Sequence, residues 1–315
     1  MNAEASSPIV GGISVVVPVY NAEATLRDLI GELEPVLRAI GGPFEAVLVN
    51  DGSRDGSWAV IGELAAAWPW VRGIDLTMNY GQHNALLCGI REARHDTIVT
   101  MDDDLQHRAD EIPLLLAELE KDFDVVYGYT ETLAHDPLRS AAAALTKLIL
   151  QQFMGARAAR RVSSFRAFRS HLRDGWAAFH GPYVSIDVLL SWTTRRFGAV
   201  PTHHRSRERG RSNYTLLKLF DHAMNMFTGF SVLPLRIASL IGFAVCALGL
   251  IMLVFVLARF LIEGREVPGF AFLASAISIF SGVQLFALGM IGEYLGRMYF
   301  RVAGKPTFSV RGRVG

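Results

Sequence analysis

Three carboxylates and an amide follow an apolar segment in the middle of the chain. Residues 98–101 are followed directly by Asp102, Asp103 and Asp104, and Gln106 comes two positions later. Carboxylates this close repel one another unless a cation lies among them. On an extended chain Asp102 and Asp104 point to the same side, and paired oxygen ligands suit Mg²⁺ or Mn²⁺, which usually also hold substrate phosphates. The alternative is a solvated acidic loop that binds no ligand.

The first 130 residues alternate between strand-like and helix-like patterns, which predicts an α/β fold with a mostly parallel sheet. Such sheets bind ligands outside the carboxyl ends of their strands. Polar clusters stand at three of these ends, at residues 20–21, 50–53 and 102–106, and their shared location predicts a nucleotide-type site. Strands are expected at residues 13–17, 46–49, 71–76, 97–101 and 124–127, and helices at 24–39, 57–68, 82–94 and 111–121.

Two long uncharged segments predict membrane-spanning helices. Residues 237–258 and 267–292 contain no charged side chain, and at about 1.5 Å per residue each can cross a hydrocarbon core of roughly 30 Å. Because the link between them is short, we expect a transmembrane hairpin. Basic residues flank both of its outer ends, so the positive-inside rule predicts a multi-pass protein of the plasma (inner) membrane with its catalytic domain in the cytoplasm.

These patterns predict four regions along the chain. They are a cytoplasmic catalytic domain at 1–213, an interfacial helix region at 214–235, two transmembrane helices within 236–298 and a cytoplasmic tail at 299–315. A helical pattern at 137–156 predicts a second interfacial helix, with core packing as the alternative. We expect no signal peptide, because residues 1–12 contain no basic residue. The two cysteines, Cys88 and Cys246, indicate neither a disulfide nor a metal site.

Residues 157–211 hold twelve arginines and no lysine. The planar guanidinium group suits phosphate better than the lysine ammonium does. Two interpretations stay open, a few arginines that bind a substrate phosphate and a general surface for membrane lipid headgroups. We expect no nucleic-acid partner, because no nucleic-acid-binding motif is present.

Seven short motifs follow one another along nearly the whole chain, and their order is more specific than any one of them. They lie at residues 17–21, 50–53, 79–83, 102–106, 164–166, 207–214 and 292–299. Together they resemble the family 2 glycosyltransferases that load sugars onto polyisoprenyl phosphates. Members include dolichyl-phosphate mannose synthase, bacterial polyprenyl-phosphate glucosyltransferases and the undecaprenyl-phosphate aminoarabinose transferase.

The resemblance implies a GT-A-like fold and a nucleotide-sugar donor, expected to be a UDP-sugar. Asp51 would accept a hydrogen bond from the base, although its sequence also suits a plain turn. The ion, Mg²⁺ or Mn²⁺, would bridge the two donor phosphates and neutralise the departing diphosphate. The implied metal ligands are Asp102, Asp104 and Gln106, and the implied nucleotide-binding residues are Pro18, Tyr20, Asn21, Asp51, Asp102 and Asp103. The orientation of Asp103 is left open.

The implied acceptor is a polyisoprenyl phosphate. A phosphate monoester is largely a dianion at neutral pH, so it needs positioning more than it needs a base. The resemblance assigns the acceptor phosphate to Arg139, Arg166 and Arg207, and catalysis to Asp104, Arg207 and Ser212. No general base is assigned, because residues 160–163 carry no acidic side chain where relatives often have one.

The predicted activity is therefore metal-dependent, inverting transfer of one sugar to a lipid phosphate. The alternative is a catalytically silent membrane scaffold or a lipid-flipping partner. A processive polysaccharide synthase fits less well, because such enzymes generally have more spans and a Gln-x-x-Arg-Trp motif. A nicotinamide oxidoreductase fits poorly, because no Gly-x-Gly-x-x-Gly follows the first strand. The resemblance also leads us to expect a homotetramer.

Overall fold

The computed structural model describes residues 11–130, 161–181, 183–205, 233–263 and 269–315. The chain forms two compact units. One comprises Met1–Phe220 together with Gly304–Gly315, and the other comprises Asp221–Ala303. The predicted interfacial helix at 137–156, and that at 214–235 as far as residue 232, lie outside the described residues.

An eight-stranded sheet forms the centre of the first unit. The strands are β1 (Ile13–Val19), β2 (Phe44–Asn50), β3 (Val71–Leu76), β4 (Thr97–Thr100), β5 (Val125–Tyr129), β6 (Arg166–Arg169), β7 (Phe197–Pro201) and β8 (Val310–Val314). Their spatial order is β7-β5-β6-β4-β1-β2-β3-β8. The pairs β1–β2, β1–β4, β2–β3 and β5–β7 are parallel, whereas β6 and β8 run antiparallel to their neighbours. The predicted mostly parallel sheet is confirmed.

Helices cover the sheet. They are α1 (Leu26–Ile40), α2 (Ser57–Ala67), α3 (Gln82–Glu92), α4 (Ile112–Leu119) and α5 (Ile186–Thr193). The buried residues of α1 are Leu26, Leu29, Ile30, Leu33 and Leu37, spaced three and four apart on one face. Every residue of β1 is buried, as expected for a strand of a sheet that is covered on both faces.

The first nine predicted elements agree with the structure to within a few residues, but three later strands and α5 were not predicted. The arginine-rich stretch contributes β6, α5 and β7 to the first unit. The C-terminal residues, predicted only as a tail, contain β8, which pairs with β3. β6 lies between β4 and β5, so the residues just before it lie at the carboxyl ends of those two strands.

The second unit contains α6 (Leu233–Glu263) and α7 (Phe270–Val302). Both include windows long and apolar enough to cross a membrane, Leu235–Arg259 with a mean hydropathy of 3.0 and Ile279–Val302 with 1.3. Neither window is buried within the structure. The second helix continues ten residues beyond the predicted span, which ended at 292. The helices pack closely where Gly249 lies against the ring of Phe280, which a Cβ at Gly249 would approach to 2.5 Å.

Candidate active site

The Asp102 carboxylate is fixed from two sides at the carboxyl end of β4. Its Oδ1 accepts a hydrogen bond from the Gln82 side-chain amide at 2.6 Å, and its Oδ2 accepts one from the Ser164 hydroxyl at 2.7 Å. Burial acts to raise the pKa of Asp102, but hydrogen bonds from His107 and Ser164 outweigh it and lower that pKa. The side chain is still 28% exposed. Asp102 is therefore an oriented, ionised group that a ligand can reach.

The Asp103 carboxylate binds the residues that follow β1. Its Oδ2 accepts a hydrogen bond from the main-chain N–H of Tyr20 at 2.9 Å, and its main-chain carbonyl accepts one from the Thr25 hydroxyl at 2.7 Å. Burial, with a contribution from the charges of Asp102 and Asp104, raises the pKa of Asp103 to about 7. Asp103 therefore joins the acidic segment to the residues that follow β1.

The rest of the acidic segment forms a tight bend at residues 103–105. Asp104 Oδ1 accepts a hydrogen bond from the main-chain N–H of Gln106 at 3.1 Å. Leu105 between them has φ 60°, a left-handed conformation that is uncommon for a residue with a bulky side chain. Such strain persists only where the surroundings hold it, and it is concentrated at functional sites.

Two histidines beside the acidic segment were not predicted. His107 is buried, with Nε2 3.1 Å from the Ser164 hydroxyl and 3.6 Å from Asp102 Oδ2. The ring of His204 meets the ring of His107 edge-on, with centroids 4.4 Å apart. Burial and the neighbouring His107 lower the pKa of His204, against the opposing effect of Asp104 and Asp102. The only signal in the sequence is the pair His203-His204, which shortly precedes the arginine motif.

The donor groups at this edge suit a divalent cation. In the part of the chain that the structure describes, no three acidic, histidine or cysteine side chains form a ready-made metal cluster. Mg²⁺ is usually bound by only one or two carboxylates, with water and substrate phosphates completing its shell. Asp102 and Asp104 supply two carboxylates, and His204 supplies an imidazole nearby. These residues fit an ion that arrives with a phosphate ligand.

The residues after β1 form the next part of the site. Pro18 is buried within β1, whereas the Tyr20 side chain is 46% exposed. Asn21 adopts a left-handed φ of 54°. Its main-chain N–H donates to the Ser53 hydroxyl at 3.0 Å, and its side-chain oxygen accepts from the N–H of Arg54 at 2.8 Å. These bonds hold the ends of β1 and β2 together.

Asp51 binds a neighbouring loop with both carboxylate oxygens. They accept hydrogen bonds from the main-chain N–H groups of Tyr80 at 2.7 Å and Gly81 at 2.9 Å. Burial raises the pKa of Asp51, and these two bonds only partly offset it. At Gly52, with φ +63°, an added Cβ would lie 2.5 Å from the main-chain N of Asn79. The loop therefore packs directly on the turn after β2.

Of the arginines predicted to bind the acceptor phosphate, the structure describes Arg166. Arg166, a predicted contact for the acceptor phosphate, is 1% exposed. Its guanidinium pairs with Asp187 and donates to the Thr100 hydroxyl at 3.0 Å. Tyr127 also donates to Asp187, at 2.9 Å. This arginine lies inside the domain, where the Asp187 carboxylate balances its charge.

The other predicted acceptor residues, Arg139, Arg207 and Ser212, lie outside the described residues. The structure adds Arg161, whose exposed guanidinium lies 4.6 Å above the ring of Tyr129, at the carboxyl end of β5. Stacking of this kind orients the guanidinium plane and leaves its edge free to donate hydrogen bonds.

Comparisons with known proteins agree with this fold and identify the family. Residues 14–172 match the family described as Glycosyl transferase family 2. The chain is 34% identical over 303 residues to the undecaprenyl-phosphate 4-deoxy-4-formamido-L-arabinose transferase of Shewanella sediminis, covering 95% of this chain and 91% of that protein. The protein of the same name from Pseudomonas fluorescens is 34% identical over 302 residues, covering 95% and 88%.

Among solved structures, the chain is similar to glucosyl-3-phosphoglycerate synthase from Mycobacterium tuberculosis, determined in complex with Mn²⁺, uridine diphosphate and glucosyl-3-phosphoglycerate. The TM-score is 0.52 at 19% identity, over 70% of this chain and 78% of that one. At this identity the likeness establishes the GT-A-like fold alone. The family match and the long relatives together establish that this chain belongs to glycosyl transferase family 2 and is a glycosyltransferase.

Proposed function

We propose that this protein transfers one sugar from a nucleotide sugar, expected to be a UDP-sugar, to a polyisoprenyl phosphate, with inversion at the anomeric carbon. One observation carries the proposal. The residues after β1, β2 and β4 are bonded into a single polar edge, with Tyr20 joined to Asp103 and Asn21 joined to Ser53. The relatives whose names specify undecaprenyl phosphate match the chain over nearly its whole length.

The donor nucleoside lies, in this proposal, against the residues that follow β1 and β2. The exposed ring of Tyr20 offers an apolar face to a base, and Asn21 fixes the turn beside it. Each Asp51 oxygen accepts one main-chain hydrogen bond and keeps a further lone pair for a base N–H. Asp51 then serves both as a turn residue and as a ligand.

Asp102 and Asp104, with Gln106 and His204 beside them, are the residues that would hold Mg²⁺ or Mn²⁺. A bound ion of this kind neutralises charge on a departing diphosphate. The protein's own part is to orient the ligands in advance. Gln82 and Ser164 hold Asp102 from opposite oxygens, so little reorganisation is needed when the donor binds.

The acceptor phosphate is the nucleophile in the proposed reaction. One of its oxygens forms the new bond to the anomeric carbon while the bond from that carbon to the diphosphate oxygen breaks. The phosphate is already largely a dianion at neutral pH, so no base is required. We assign its positioning to Arg207 and Ser212 from the resemblance, and to Arg161 from its exposed, stacked guanidinium. Arg166 is left out because its charge is already paired inside the domain.

We also propose that α6 and α7 cross the plasma membrane as a hairpin, with the first unit in the cytoplasm. The residues after α7 return to the same sheet that the residues before α6 build, through the pairing of β8 with β3. In this proposal both flanks of the helix pair lie on the same side of the membrane. The chain must then cross the membrane an even number of times between them. Basic flanks favour the cytoplasmic side. The homotetramer stays a prediction.

The experiment that tests the activity incubates the purified full-length protein with undecaprenyl phosphate, Mn²⁺ and a panel of UDP-sugars. The names of the relatives make 4-deoxy-4-formamido-L-arabinose the first sugar to include. We expect a lipid-linked sugar from one donor, lost in Arg207→Ala and retained in Arg38→Gln, whose exposed guanidinium pairs only locally with Glu34 on α1. No product with any donor, together with no binding of UDP, would favour the silent scaffold.

A further inference from the structure

The C-terminal tail, Gly304–Gly315, is part of the first unit. Within it, β8 pairs antiparallel with β3, with Ile74 opposite Arg313 and Asp75 opposite Gly312. β3 ends just before the loop that binds Asp51, here called the donor loop (residues 77–81). The tail therefore lies alongside a strand that leads into the proposed donor site.

The tail holds the donor loop through main-chain and side-chain contacts. The Ser309 carbonyl accepts a hydrogen bond from the N–H of Thr77 at 3.0 Å, and Ser309 lies close enough to the phenol of Tyr80 to lower the pKa of that phenol. The same phenol lies 2.9 Å from the Thr77 hydroxyl. Arg311 donates to the Thr77 carbonyl at 2.7 Å. Both ends of the donor loop are thus tied to the tail.

A second contact reaches the first turn of α3. Thr307 is buried, and its carbonyl accepts a hydrogen bond from the Asn84 side-chain amide at 3.1 Å. Its hydroxyl accepts one from the N–H of Gly181 at 3.2 Å. Asn84 lies two residues after Gln82, which donates to Asp102. The tail therefore contacts the supports of both Asp51 and Asp102.

We infer that the C-terminal tail is a positioning element of the donor site, in which Ser309 and Arg311 hold the donor loop against Asp51 and Thr307 holds the turn that carries Gln82 to Asp102. The inference rests on the proposed function, because it concerns the affinity for the nucleotide donor. None of these tail residues needs to touch the donor. They fix the groups that touch the donor. Their loss is therefore expected to weaken the affinity for the donor and to leave the acceptor site unchanged.

The chain supplies a closely matched control for the test. Arg311 and Arg313 lie two residues apart on β8, with side chains 63% and 56% exposed, and each pairs with an acidic residue. Arg311 contacts the donor loop, whereas Arg313 pairs with Glu92 at the other end of α3. Both substitutions to Gln remove one positive charge, so their difference reports the contacts that Arg311 makes with the donor loop and with Asp75.

The experiment measures binding of UDP with Mn²⁺ to the full-length protein by calorimetry, together with the KM values for donor and acceptor. We expect Arg311→Gln and Ser309→Ala each to weaken UDP binding about three- to tenfold, the size expected for loss of one hydrogen bond. Ser309→Thr, which keeps the hydroxyl, restores binding. We expect Arg313→Gln to bind as the wild type does. The KM for donor rises in the two deficient variants, while kcat and the KM for acceptor stay unchanged.

Equal UDP affinity in Arg311→Gln, Ser309→Ala and Arg313→Gln overturns the inference and leaves the proposed function intact. A lower kcat with an unchanged KM for donor also overturns it. If the wild type itself binds no UDP, the proposed donor fails and the inference fails with it. Melting temperatures of all four variants show whether a loss of binding reflects unfolding, and a loss that tracks melting temperature counts against the inference.

Discussion

The side-chain amide of Gln82 donates a hydrogen bond to Asp102 across 2.6 Å, and this bond joins the first turn of α3 to the acidic segment after β4. The sequence motif that contains Gln82 gives no hint of this partner, which lies twenty residues further along the chain. The bond leaves the second oxygen of Asp102 to Ser164. A proposed metal ligand is therefore oriented from two different elements of the fold.

We predict that Gln82→Met lowers the affinity for UDP and Mn²⁺ about tenfold. The substitution keeps the length of the side chain and removes the donor, which costs on the order of 1–2 kcal/mol for a hydrogen bond to a charged group. Gln82 is exposed, so the melting temperature is expected to stay within a degree or two of the wild type. Unchanged UDP affinity, measured by calorimetry, would show that the orientation of Asp102 does not depend on this bond.

We predict that Gly52→Ala weakens donor binding and destabilises the fold by about 1–3 kcal/mol. The new Cβ would lie 2.5 Å from the main chain of residues 78 and 79 at a φ of +63°, so the loop bound by Asp51 must move. Gly62→Ala is the control, because it lies inside α2 with no atom within 4 Å of its Cβ position. That substitution is expected to be neutral or slightly stabilising. Thermal unfolding and UDP binding measure both effects, and equal behaviour of the two variants would contradict the prediction.

We predict that Arg166→Met destabilises the first unit by about 3–5 kcal/mol, because it leaves the buried Asp187 without its cation. Adding Asp187→Leu should recover much of the loss, since an apolar pair of similar volume replaces the ion pair. Thermal unfolding of the two variants provides the measurement. If Arg166→Met kept full stability and raised only the KM for the acceptor, Arg166 would again be a candidate for the acceptor phosphate.

We predict a pH-dependent contribution to stability from Glu45. Burial acts to raise its pKa, but hydrogen bonds from the Ser14 hydroxyl, the Arg94 N–H and Arg72 outweigh burial and lower the pKa of Glu45 below 4.5. Since the folded-state pKa is the lower one, this stabilisation is complete above the unfolded-state pKa and is lost as pH falls through the folded-state pKa.

Glu45→Gln is therefore expected to lower the melting temperature at pH 7, with a difference from the wild type that shrinks as pH falls below about 4.5. Thermal unfolding between pH 7 and pH 3.5 measures this difference. A constant difference across that range would mean that the Glu45 charge does not contribute and that the substitution acts through packing.

The sequence predicted the first five strands because each combines a short apolar run with a clear boundary, and it predicted the acidic edge because those strands are parallel. β6 was not predicted, since two of its four residues are arginines and its pairing with β4 and β5 is between segments distant in the chain. The alternation Val310, Gly312 and Val314 with arginines between them was a readable signal for β8. The arginines of this segment also satisfy the positive-inside rule, and that interpretation predicts no strand.

The sequence also does not predict which individual side chains are buried. Arg166 and Arg161 belong to the same arginine-rich stretch, yet one is neutralised inside the domain and the other is exposed over Tyr129. The difference comes from Asp187, which lies on α5 and reaches Arg166 only when the sheet is assembled. His204 was missed for the same reason, since only the folded chain brings it to His107 and the acidic segment.

In the proposed reaction, Asp102 and Asp104 would hold the metal ion on which transfer of the sugar to the lipid phosphate depends. The most direct measurement follows formation of lipid-linked sugar by the full-length protein with undecaprenyl phosphate and its UDP-sugar, with Mn²⁺ or with a chelator. We predict a phosphodiester product with inverted anomeric configuration, abolished by the chelator and by Asp104→Ala. Product formation that survives both the chelator and Asp104→Ala would contradict the proposed metal dependence.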